Sequence, residues 1–157
     1  MKPLVFQTDF GLVDGAVSAM YGVAYCVDPE LSVDSLVSLR IVEPRIEGNA
    51  VCGTIDVLDV RFGSLWTNIP RTLFLETGIR YGDRVSITIE NDTRCVYRNI
   101  ILFAKSFADV YVGEALSYVN SLDCVAVAIN QGSFARAYNI GTGNSWRIRI
   151  EPFKGFL

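Results

Sequence analysis

The chain has 157 residues, half of them apolar and a fifth charged, with 17 acidic against 14 basic side chains and a net charge of -3. That balance excludes disorder, which needs low hydrophobicity and high net charge, and gives no electrostatic reason to expect nucleic acid, whose binding draws on clustered Lys and Arg. Histidine is absent, which excludes a histidine base, a Ser-His-Asp triad and a histidine metal site, so proton transfer falls to Asp, Glu, Lys, Tyr or water.

Residues 3–8 read as a short apolar strand that ends in the turn Asp9-Phe10-Gly11. Residues 14–27 read as a helix, with an acid in the first turn and Pro29 just beyond the end. Val17, Ala19, Met20, Tyr21, Val23, Ala24, Tyr25 and Cys26 cover nearly every direction around it, so burial on more than one side is expected. A strand followed by a crossover helix normally leads into a parallel sheet, yet no further strand and helix alternation follows.

Past Asp34 the pattern changes to short strand-like segments at residues 35–42, 50–59, 84–90, 95–103, 115–119, 124–128 and 145–150. Asn91-Asp92-Thr93 reads as a hairpin turn and Gly141-Thr142-Gly143-Asn144 as another break. Residues 70–77 and 131–138 read as local helical or irregular pieces. Strands at this spacing predict a mostly antiparallel β barrel or sandwich. The fold class is therefore α+β: a strand and helix at residues 1–34, then a C-terminal β domain at residues 35–157.

No apolar run reaches the ~18–20 residues that a membrane span needs, and the opening residues lack a signal peptide's cleavage pattern. A soluble cytoplasmic protein with no membrane or nucleic-acid partner is expected. Cys26, Cys52, Cys95 and Cys124 lie far apart with no Cys-x-x-Cys pair, so buried free thiols are expected rather than a metal or redox site.

Three clusters carry chemistry. Thr8-Asp9-Phe10-Gly11 with Asp14-Gly15 is either a turn and a helix start, or two carboxylates at the C-terminal end of a strand, where open α/β sheets bind ligands. Ile55 to Ile69 runs from a strand directly into a loop that combines an acid, Asp59, with Phe62, Gly63, Ser64, Trp66, Thr67 and Asn68. That is the mixture of apolar walls and oriented polar groups found in ligand sites, although a packed turn around a buried Trp accounts for it equally. The third cluster is Ser106-Phe107-Ala108-Asp109, Tyr118-Val119-Asn120-Ser121 and Asn130-Gln131-Gly132-Ser133, where a common turn is again the alternative.

In their order along the chain these pieces, with Gly78-Ile79 and Tyr81-Gly82-Asp83, resemble the family that cleaves S-adenosyl-L-methionine (SAM) at its 5′-carbon: the SAM hydrolases, or SAM hydroxide adenosyltransferases, with the SAM-dependent chlorinase and fluorinase. The resemblance covers residues 1–32 and 35–151 and passes over the family's central segment near residues 31–38. It implies a β barrel after a remnant of the N-terminal α/β domain, and hydrolysis of SAM by water or hydroxide to adenosine and L-methionine with no cofactor.

By the same resemblance Asp9 holds the ribose hydroxyls, and Asp14 and Asp59 face the methionine ammonium. Phe62 and Phe107 wall the adenosine and Ser121 lies near the methionine carboxylate. Trp66 joins the substrate site, the backbone at Asn130 and Gln131 meets the adenine edge, and Ser64 stands where the halogenase has an asparagine. No catalytic residue is assigned, because the Asp, Arg and His that handle water in the hydrolases fall in the missing segment. Little or no hydrolysis is therefore expected of this chain, and a noncatalytic adenosine-binding or self-assembly module is the alternative. A homo-oligomer, a trimer by resemblance, is expected, with SAM or adenosine as the small-molecule partner.

Overall fold

The computed structural model of the chain describes residues 42–59 and 61–155. The strand and helix predicted within residues 1–34 lie outside the described residues, as does the strand at 35–42 except for its last residue. The compact unit that holds the described residues begins at Val42.

The described residues form one sheet of strands β1 Arg45–Glu47, β2 Ala50–Leu58, β3 Leu65–Pro70, β4 Arg84–Glu90, β5 Cys95–Phe103, β6 Ala115–Val119, β7 Cys124–Ile129 and β8 Gly143–Pro152. Two short helices, α1 Arg71–Glu76 and α2 Phe134–Tyr138, and a 3-10 turn at Phe107–Asp109 interrupt it. The strand order is β1-β2-β3-β7-β6-β5-β4-β8, and β8 returns to pair with β2. Strands β2 to β8 thus close a seven-stranded barrel, and β1 is a hairpin arm on β2. The ladders are antiparallel apart from β5 with β6, where Leu102 meets Leu116 and Phe103 meets Ser117 in parallel. Parallel neighbours need a crossover, and this one carries the Phe107–Asp109 turn out over the barrel surface.

Period-two patterning builds the interior. Val85, Ile87 and Ile89 of β4 point inward between exposed or half-buried neighbours, with Ile87 opposite Ile150 and Ile89 opposite Ile148 of β8. Each buried side chain of this size contributes roughly 1.5–3 kcal/mol. Aromatic rings pack against this interior: Phe74 of α1 meets Phe103 edge-on at 4.8 Å, and Phe134 of α2 meets Tyr97 at 4.8 Å. Helix α2 starts where the Ser133 hydroxyl accepts the Arg136 N–H and stops at Asn139 in the left-handed region.

The sequence reading placed a loop where β3 runs. Leu65, Thr67 and Ile69 of β3 are the inward residues, and the polar Thr67 hid the alternation. Its hydroxyl is at home in the core because it donates to the Val125 carbonyl at 2.7 Å. The arm β1, with sequence Arg-Ile-Glu, is exposed throughout and has no apolar pattern to find. Cys52, Cys95 and Cys124 are free, but Cys95 is exposed and the other two only half-buried, because the cysteines sit at strand ends and on outward positions. Burial nevertheless raises the Cys52 and Cys124 thiols. Among the described residues no helix is long and apolar enough to cross a membrane.

Candidate functional site

The loop between β2 and β3 shapes itself around Asp59. Its backbone N–H donates to the Ser64 carbonyl at 2.9 Å, and its carboxylate Oδ1 accepts the N–H groups of Arg61 at 2.9 Å and Phe62 at 3.4 Å. Gly63 has φ +66, and a Cβ there would lie 2.7 Å from Ser133 Cα. Only glycine lets this loop press against the start of α2, where the Gly63 carbonyl accepts the Ala135 N–H at 3.0 Å.

The crossover after β5 is held in the same manner. Ser106 and Asp109 form a reciprocal cap around Phe107. The Asn130 amide, on the loop after β7, donates from Nδ2 to the Phe107 carbonyl at 3.0 Å and to the Val110 carbonyl at 2.9 Å. Gln131 then takes a left-handed φ of 56, which turns the chain toward α2.

These loops enclose a cavity of about 890 Å³ on the outer side of the barrel wall, within the range of small-molecule sites. Asp59, Phe62, Ser64, Trp66, Phe107, Ser121, Asn130 and Gln131 all line it. Every described residue that the sequence reading assigned to substrate is therefore brought together, from four separate stretches of chain, while Asp9 and Asp14 lie outside the described residues. Trp66 and Tyr118 stand opposite Ala126 on its two sides, so both rings rise from one row over a small residue. Phe107 packs on Tyr118 at 5.1 Å, and Phe62 is 65% exposed at the rim.

The polar groups are as telling as the rings. Ser64 Oγ, Trp66 Nε1 and Asn120 Nδ2 are buried without a hydrogen-bond partner among the described residues, and all belong to cavity-lining residues. A buried orphan of this kind costs about 1–3 kcal/mol, and a ligand acceptor removes that cost. Donors among aromatic walls suit a flat heteroaromatic ligand rich in acceptors. The sequence reading singled out Tyr118, Asn120 and Ser133 in its third cluster, and Arg61 in the segment that ends at Ile69, without assigning them to the substrate, and it did not single out Arg136; all five line the cavity. Tyr118 alternates with the inward Ser117, which was a legible signal. The two arginines gave none, because loop and short-helix side chains have no period. Among the described residues no group of three or more His, Cys, Asp or Glu is placed to hold a metal ion.

Comparison with known proteins decides the family. The family model described as the SAM hydroxide adenosyltransferase C-terminal domain matches residues 53–147. The chain belongs to this family. The cavity loops fall within the matched SAM hydroxide adenosyltransferase domain. The chain is 29% identical over 126 residues to a fluorinase of Nocardia brasiliensis, covering 79% of this chain and 41% of that one. A fluorinase of an Actinoplanes species is 31% identical over 115 residues, 72% of this chain and 37% of that one. A crystal structure of an uncharacterized conserved protein from Thermotoga maritima superposes with a TM-score of 0.61 at 27% identity, covering 82% of this chain and 48% of that chain. The chain thus spans less than half the length of each of these relatives.

Proposed function

We propose that the cavity binds SAM by its adenosine part, and that the reaction served is substitution at the 5′-carbon by water, giving adenosine and L-methionine. The observation that carries this reading is the set of orphaned donors, Ser64 Oγ, Trp66 Nε1 and Asn120 Nδ2, in residues that line one cavity together with Phe107 and Tyr118. A purine offers ring-nitrogen acceptors on a flat apolar body, and the family match points to SAM as the molecule that carries it.

The chemistry asks for little acid or base. Water attacks C5′ in line with the departing sulfur, the C–O bond forms as the C–S bond breaks, and the sulfonium's positive charge is neutralised in methionine's thioether while a proton passes to solvent. The aromatic walls exclude water from the sulfonium side and hold the nucleoside in line. Asp59 faces the methionine ammonium, its Oδ1 anchored by the Arg61 and Phe62 N–H groups. No cofactor is required. The cavity is one side of the full site, the protein self-associates to complete it, and turnover by this chain is slow.

Titration calorimetry with SAM and with adenosine tests the binding, and chromatographic measurement of adenosine release tests the reaction. Saturable binding of both that Phe107→Ala weakens about fivefold or more is the expected result, since removing an aromatic wall of a nucleoside costs ~1–3 kcal/mol. Absence of binding at millimolar SAM overturns the reading. Light scattering that reports a strict monomer removes the self-association.

A further inference from the structure

Asn120 sits at the turn between β6 and β7, and the turn uses only half of its amide. Its Oδ1 accepts the Leu122 N–H at 2.9 Å and the Cys124 N–H at 3.1 Å, while its backbone closes the hairpin with Cys124 and Asp123. An aspartate would supply the same acceptor geometry, and Asp and Asn serve such turns alike. What asparagine adds is Nδ2, and that atom is buried without a partner among the described residues, in a side chain that is 9% exposed and lines the cavity. The turn leaves this donor unexplained.

We propose that Asn120 is a specificity-determining residue whose Nδ2 donates to an acceptor atom of the bound ligand. The inference rests on the reading of the cavity as a SAM site and deepens it. SAM offers acceptors from two parts, the nucleoside with its purine nitrogens and ribose oxygens, and the amino-acid carboxylate. Trp66, whose Nε1 is likewise unpartnered and which lines the same cavity, lies on β3, one strand away across β7.

The test compares the full chain with Asn120→Asp and Asn120→Ser by calorimetry against SAM, adenosine and L-methionine, with melting temperature followed in parallel. Asn120→Asp keeps the acceptor for Leu122 and Cys124 and removes the donor. Asn120→Ser is neutral, and its shorter hydroxyl serves the turn without reaching the cavity. Both are expected to weaken SAM about tenfold or more, the loss of one hydrogen bond that a ligand acceptor completes. A matching loss for adenosine assigns the acceptor to the nucleoside, and a loss confined to SAM and methionine assigns it to the carboxylate. Wild-type affinity for all three probes in both variants, or lowered melting temperature with unchanged affinity of the folded protein, overturns the proposal while leaving the cavity reading intact. A wild-type chain that binds none of the probes overturns both.

Discussion

The barrel has two walls of opposite character. Along β4, β5 and β8 the ladders are long: Arg84 to Glu90 pairs with β5 on one side, and Val85 to Glu90 with β8 on the other. The outer face of that wall is laced by exposed ion pairs, Arg147 with Glu90 and Asp92, and Arg149 with Glu47 and Glu151. Along β3, β7 and β6 the strands are shorter, the β3–β7 register slips between Trp66 and Pro70, and Asp123 and Gln131 take positive φ in the flanking loops. Of the four buried side-chain atoms without a partner among the described residues, three, on Ser64, Trp66 and Asn120, lie there, and the fourth, the Tyr97 hydroxyl, belongs to β5. A chain departs from local rules where a site needs it, and one wall holds the fold while the other holds the chemistry.

The largest effect that tests this division belongs to the first wall. Ile87→Ala, at a fully buried position between β5 and β8, should lower unfolding free energy by about 2–5 kcal/mol in urea titrations. SAM affinity of the folded fraction should be unchanged, and a joint loss would dissolve the comparison. In the second wall, Trp66→Phe keeps a ring and removes an orphaned donor. It should weaken SAM about tenfold while moving stability by less than about 1 kcal/mol, measured by calorimetry and denaturation together.

Alkali supplies a smaller effect that sharpens the contrast. Burial, then the neighbouring Tyr138, pushes the Tyr97 hydroxyl of β5 up to about 12 from a phenol's ordinary 10. The fold holds Tyr97 neutral, so this contribution to stability is complete below pH 10 and is lost as pH rises through about 12. Tyr97→Phe should flatten stability across that window, with melting temperature against pH as the measurement. The smallest effect is that of Arg147→Ala. Its ion pairs are exposed, so the loss should stay below about 1 kcal/mol and shrink further with added salt.

The two walls were also unequally legible in the sequence. Ile87-Thr88-Ile89 and Arg147-Ile148-Arg149-Ile150 announce strands by strict alternation, and Asn91 marks the hairpin, where its side chain does accept the Thr93 and Arg94 N–H groups. Strand β3 was obscured because its inward Thr67 looks polar until the Val125 carbonyl is in place across 58 residues. Closure into a barrel rather than a sandwich depends on β8 returning to β2, a pairing with no local trace. In the site, Phe62, Trp66 and Phe107 were reached through the family resemblance, since the residues alone left a packed turn around a buried Trp as an equal account. Asn120 stood in the third cluster with a common turn as its alternative, and the burial of its unpartnered Nδ2 leaves no trace in the sequence.

The Asn130 amide fastens the crossover carrying Phe107 to the loop after β7, and Gly63 fastens the loop carrying Phe62 to the start of α2. Anyone who wishes to recast this pocket for another ligand therefore inherits a constraint on exchange: the segments cannot be swapped one at a time. A foreign crossover placed opposite Asn130, or a residue larger than glycine at 63, would shift walls that the designer had meant to keep. The transferable cassette is the set of loops together, moved with its fasteners.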